Sequence, residues 1–114
     1  MSERTLGLYL TDIEQAIDRI KTYTKSLLIE DFKSDAKTID AVVRNIEIIG
    51  EAARHIPDSI RLQYPTVPWK QIVGARDKMI HEYFGVDLDV LWKTVVEDLP
   101  LLKQQVQELV SELA

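Results

Sequence analysis

Three residues in one short stretch have side chains suited to phosphate chemistry: Arg76, Asp77 and His81. Placed on a helical wheel from Trp69, at ~100° per residue, Arg76 sits among Ile72, Met79, Tyr83, Trp69, Ile80 and Val73. A guanidinium on a core-facing stripe needs carboxylate or ligand partners, because an unpaired buried charge is costly. Two readings stay open. One is a buried ion pair with Glu47 or Glu51. The other is a phosphate clamp, the task a planar bidentate guanidinium does best. His81 lies about 140° around the helix from Arg76. Asp77, one turn before it, is in position to bond a ring nitrogen and fix the tautomer. Gly74 leaves open space beside the ring. A lone helical histidine is either solvated or structural, or else an acid–base group. Tyr83 falls about 20° from Arg76, two turns along. It is a core aromatic with its hydroxyl at the rim, or a hydroxyl opening onto the same cleft. The other histidine, His55, is near a helix C-terminus, where an imidazolium favours the dipole. That explanation suffices for it.

Other chemistries are excluded. The chain has no Cys, so disulfide frameworks, thiolate metal sites and cysteine nucleophiles are absent. Its two histidines lack His-x-x-x-His spacing, which argues against a transition-metal site. Gly50, Gly74 and Gly85 are isolated, so no phosphate loop exists, and there is no Gly-x-Ser-x-Gly elbow. The net charge of −5 weighs against a broad basic surface for long nucleic acid. It leaves room for a local cationic cleft, although Arg54, Lys70 and Lys78 are interleaved with acids and no basic groove is readable.

The elements that must carry these residues are helices. The 114 residues suffice for one domain, 1–114, and 46% hydrophobic with 29% charged is ordinary for a globular fold. Leu6, Leu10, Ile13, Ile17, Ile20 and Leu27 recur at steps of three and four, with Thr24 filling the gap, which predicts a helix over 5–28. Residues 29–33 read as a short connection anchored by Phe32. Ser34 is the expected N-cap of a second helix running to Arg54, with Asp35 in its first turn. That helix is apolar around most of its circumference, through Ile39, Val42, Val43, Ile46, Ile48, Ile49, Ala52 and Ala53. It is therefore central in a bundle or covered by a partner subunit. Gly50 within it suggests the close approach of another backbone. One helical turn is expected over 59–63, and a third helix from Pro68 or Trp69 to Phe84, ending at Gly85. Leu88, Leu91, Val95, Leu99, Leu102, Val106, Leu109 and Leu113 mark a last helical stretch over 87–113, bent or divided at Pro100. No strand candidate, repeat or low-complexity segment is present. The expected fold is an all-α, up-and-down four-helix bundle with one or two short extra helices. No apolar run reaches the length of a membrane span, and Met1-Ser2-Glu3-Arg4 is unlike a signal peptide. A cytoplasmic location is the default expectation.

Arg76-Asp77-Lys78-Met79-Ile80-His81-Glu82-Tyr83 has the form Arg-x4-His-x-Tyr, which resembles the signature of the HEPN superfamily, specifically the HepT-like toxins. Ile48-Ile49-Gly50-Glu51-Ala52, Tyr64-Pro65-x-x-Pro68-Trp69 and the Val86-Asp87 start of the last helix agree with that family. The likeness covers essentially the whole chain. Asp77 stands where the family commonly has Asn. The resemblance implies a helical homodimer whose paired motifs form a ribonuclease cleft that works without a metal or other cofactor. It also implies a toxin–antitoxin pair, in which a minimal nucleotidyltransferase antitoxin adenylylates Tyr83.

Two function classes follow. In the first, the chain is an endoribonuclease toxin, with Arg76 and His81 catalytic, Asp77 supporting and RNA as substrate. In the second, it is a non-catalytic nucleotide-binding or scaffold subunit of a nucleotidyltransferase complex, modified at Tyr83. Arg76 and His81 diverge on an ideal helix, and a single histidine per chain is short of an acid–base pair. Both points favour a site shared by two chains. A dimer is expected to bury Val42, Ile46, Ile49 and Ala53.

Overall fold

A computed structural model describes residues 1–81 and 87–113, with the backbone alone for 76–81. Among them the chain is all-α. Helix α1 (Glu3–Thr24) opens at Ser2, whose hydroxyl accepts the Thr5 N–H at 3.1 Å. It buries Leu6, Leu10, Ile13, Ala16, Ile17 and Ile20, and Thr24 closes the stripe by donating its hydroxyl to the Ile20 carbonyl at 2.8 Å. The helix ends four residues earlier than the apolar spacing predicts. Lys25 leaves helical geometry and Ser26 takes a φ of 68°, a left-handed turn that helices commonly end on.

The expected connection is itself a helical turn, α2 (Ile29–Lys33), started by the Asp31 carboxylate accepting the Leu28 N–H at 2.9 Å. Phe32 is its anchor, fully buried and packed on Trp92 at a ring separation of 5.0 Å. Asp35, not Ser34, caps α3 (Ala36–Arg54). Its carboxylate accepts the Thr38 N–H at 3.1 Å and the Thr38 hydroxyl at 2.6 Å, two bonds that a serine hydroxyl one residue earlier is not placed to make. The Ser34 hydroxyl instead donates back to the Glu30 carbonyl at 3.1 Å, closing α2.

Helix α3 is the central element. Helix α1 packs along it, as does α5 (Trp69–His81). Val42, Ile46, Ile49 and Ala53 are all buried within the single chain, so the apolar excess of α3 is met by its central position and needs no partner subunit. Burying each such Val or Ile contributes about 1.5–3 kcal/mol. A polar residue of α3 shares this interior. Asn45, 5% exposed, accepts the Arg19 Nε–H at 2.8 Å and donates to the Ala41 carbonyl at 2.9 Å.

Short α4 (Asp58–Gln63) turns the chain back, one residue ahead of the expected turn. Arg61 holds it there: its guanidinium donates to the Ile56, Ala53 and Arg54 carbonyls at 3.0, 2.8 and 3.2 Å, capping the C-terminal end of α3. The following loop fixes the start of α5. Buried Trp69 donates its indole N–H to the Tyr64 carbonyl at 3.1 Å, and Gln105 donates to the Thr66 carbonyl at 3.0 Å. The Tyr64 hydroxyl donates to the Glu112 carboxylate, a bond that raises its pKa.

The last stretch is one helical run: α6 (Leu88–Lys93), a π turn (Thr94–Asp98) and α7 (Leu99–Leu113). Asp87 caps it by accepting the Asp89 N–H at 2.9 Å. The Leu99 N–H reaches back five residues to the Thr94 carbonyl. This wider turn lies immediately before Pro100, which has no N–H to give the regular ladder. The chain thereby passes Pro100 without dividing.

Candidate active site

The motif residues ride on α5. Trp69 and the loop before it set the start of the helix, and the Ile72 N–H bonds the Pro68 carbonyl at 3.0 Å in its first turn. From there the backbone is unbroken α-helix to His81, so positions 76, 77 and 81 share one rigid element packed along α3. Five helical residues advance about 7.5 Å and turn about 140°. The side chains of Arg76, Asp77 and His81 lie outside the described residues, as do all of Tyr83 and the expected end of the helix at Gly85. A Cβ added at Gly74, two residues before Arg76, meets nothing within 4 Å among the described residues; the His81 ring expected beside this space lies outside them.

The carboxylates considered as partners of Arg76 are on α3, and both have cations beside them on that helix. Glu47 pairs with Arg44 at 3.4 Å, and Glu51 lies 3.9 Å from Arg54 and 3.3 Å from the His55 Nε2. With Tyr9 and Asp12 of α1, Glu47, Glu51 and His55 line a cleft of about 310 Å³. Tyr9 and His55 stack there, ring centroids 4.8 Å apart and planes 10° from parallel. His55 does terminate α3, as the sequence predicts, but its ring is also held by Tyr9 and Glu51. Nothing in the spacing of positions 9 and 55 announces that pairing; it follows from how α1 crosses α3. Among the described residues the cleft is lined by three acids and two bases, Arg44 and His55, a balance that does not favour a phosphate. No group of three or more His, Asp or Glu side chains arranged to hold a metal ion occurs among the described residues.

The sequence profile of the HepT-like ribonucleases matches residues 13–109, which include the helix bearing positions 76 and 81. The chain belongs to the HepT-like ribonuclease family. It is 50% identical over 101 residues to a Thermococcus cleftensis protein named "Probable ribonuclease HepT", covering 89% of this chain and 92% of that one. Two Methanocaldococcus jannaschii proteins with provisional RNase names are 38% and 41% identical, over 99% and 94% of this chain and 93% and 98% of theirs. No solved structure matches the chain significantly. No helix among the described residues is long and apolar enough to cross a membrane.

Proposed function

We propose that this HepT-like ribonuclease is the toxin of a toxin–antitoxin pair, a metal-independent endoribonuclease acting through Arg76 and His81. The supporting observation is that both motif positions lie on one unbroken helix inside the span matched by the family. In the reaction, a ribose 2′-oxygen bonds the adjacent phosphorus while the bond to the 5′-oxygen breaks. One proton leaves the 2′-hydroxyl and one reaches the departing 5′-oxygen, giving a 2′,3′-cyclic phosphate and a 5′-hydroxyl. An imidazole, titrating near pH ~6.5 when unperturbed, suits either transfer. A guanidinium suits the charge that develops on the phosphoryl oxygens. Asp77 orients His81 from one turn away.

The two positions diverge by about 140° on one helix, and each chain carries one motif histidine. A homodimer cleft in which one protomer supplies Arg76 and the other His81 meets the first condition; the single His81 of each site then serves one proton transfer and water the other. Tyr83 is the switch. A nucleotidyltransferase partner transfers AMP from ATP to its hydroxyl, releasing pyrophosphate, and the added bulk and negative charge repel an incoming RNA phosphate.

Expression of the chain in a bacterial host tests this reading. Growth arrest is expected for the parent, and no arrest for His81→Ala expressed at the same level. Co-expression with the cognate nucleotidyltransferase is expected to add the mass of one or more AMP units to the parent and none to Tyr83→Phe. Arrest that persists in His81→Ala contradicts the catalytic assignment. An adduct on Tyr9, Tyr23 or Tyr64 contradicts the switch.

A further inference from the structure

The net charge of −5 makes the placement of the cations informative. Acids border three of the clefts on the described surface: Glu47 and Glu51 in one, Glu108 and Glu112 in another, Asp98 in a third. A fourth groove, about 590 Å³, lies between the C-terminal half of α1 and the run of α6, the π turn and α7. Its lining has Lys21, Lys25 and Lys103 and no carboxylate. Lys103 is held from outside by Asp18, at 2.6 Å. Lys21 and Lys25 form no ion pair among the described residues, and both are exposed. Lysines at the end of α1 also complement its dipole. That accounts for two of the charges but not for the absence of acids on the opposite wall.

The floor between these lysines is apolar. Val96, on the π turn, is 49% exposed and presents an apolar surface to the groove. Trp92 is half-buried at the same groove, its ring against Phe32 at 5.0 Å. Gln104 and Gln107 add amides able to donate and accept at one edge. Exposed cations around an apolar floor with an aromatic are the elements that hold single-stranded nucleic acid without reading its sequence.

We infer that this groove is a second binding surface for the RNA strand, with two successive phosphates on Lys21 and Lys25 and the nucleoside between them against Val96 and Trp92. The inference rests on the ribonuclease reading for its choice of ligand, and it adds a place where the strand is held away from α5. It also reconciles an acidic protein with a polyanionic substrate: the basic surface is small and local.

The test is fluorescence anisotropy with a labelled single-stranded oligonucleotide carrying 2′-O-methyl riboses, which no 2′-hydroxyl attack can cleave. Replacing both lysines, Lys21→Gln with Lys25→Gln, is expected to weaken binding on the order of tenfold. It should also lower the slope of log K against log salt by about 1.4, at ~0.7 for each single-strand phosphate that is no longer neutralised. Val96→Glu, which puts a carboxylate on the floor, is expected to weaken binding at least as much with an unchanged circular dichroism spectrum. Unchanged affinity and slope in both variants would overturn the groove, as would a parent that binds no oligonucleotide. Equal affinity for polyglutamate would also overturn it, since the surface would then attract any anion. Because the probe is not cleaved, the two readings fail separately. A parent that binds through the groove but cleaves no RNA retains the groove and loses the ribonuclease.

Discussion

Arg19 and Asn45 join the two longest helices through a partly buried hydrogen bond, Nε to Oδ1 at 2.8 Å. The amide is anchored in turn to the Ala41 carbonyl one turn back, so it has a fixed direction. Asn45→Ala leaves the Arg19 donor without its acceptor in a site that water reaches poorly. The expected cost is about 1–3 kcal/mol, read as a lower urea midpoint with an unchanged m-value. A change of no more than a few tenths of a kcal/mol would mean that water replaces the amide.

Phe32 is fully buried, on a helix of only five residues. Phe32→Ala should cost about 3–5 kcal/mol, the loss of transfer free energy plus a cavity beside Trp92. Phe32→Leu should recover most of it. Urea denaturation of both variants checks the point, and equal losses would mean that ring shape rather than buried volume matters there.

Asp35 makes the start of α3 sensitive to acid. The Thr38 hydroxyl and N–H bond its carboxylate and hold the pKa below the ordinary carboxylate value. A carboxyl whose pKa is depressed by folding contributes stability that is fully present above its unfolded pKa. That contribution is lost as pH falls through the folded pKa. Asp35→Ala is therefore expected to melt lower than the parent at neutral pH, with the gap closing in strong acid. A gap that stays constant with pH would remove the charged cap from the account.

Much of this was legible in the residues because helical bundles are built from local pattern. The stripes of α1 and α3 and the capping role of the region around Asp35 can be read within a few positions. The early end of α1 could not, because Leu27 continues the stripe and only the left-handed Ser26 turns the chain away. Pro100 signals a disturbance but not its form; the π turn ahead of it depends on keeping Leu99 and Leu102 in the core. The Arg61 cap, the Arg19–Asn45 bond and the Tyr9–His55 stack join residues far apart in the sequence or across irregular backbone. No spacing rule reaches them. The apolar excess of α3 was legible, but not whether a neighbouring helix or a second chain covers it. For Arg76 and His81, residue type and spacing speak to chemistry and only the backbone of α5 speaks to position; Tyr83 lies outside the described residues.

The proposed shared site has a stoichiometric signature. A dimer is expected by light scattering at tens of micromolar. Arg76→Ala and His81→Ala protomers, each inactive alone, should regain about a quarter of parental cleavage when mixed and allowed to exchange, since random pairing restores one of two sites in half the dimers. No recovery in a sample shown to have exchanged would place both residues of each site on one chain.

The central claim is that Arg76 and His81 cleave RNA without a metal. Its most direct measurement is cleavage of single-stranded RNA by the purified protein in excess EDTA, with product ends identified by mass spectrometry. The expected result is 2′,3′-cyclic phosphate ends at an undiminished rate, falling about 10²–10³-fold in Arg76→Ala and lost in His81→Ala. Cleavage abolished by EDTA and restored by a divalent ion, or retained in His81→Ala, would contradict it.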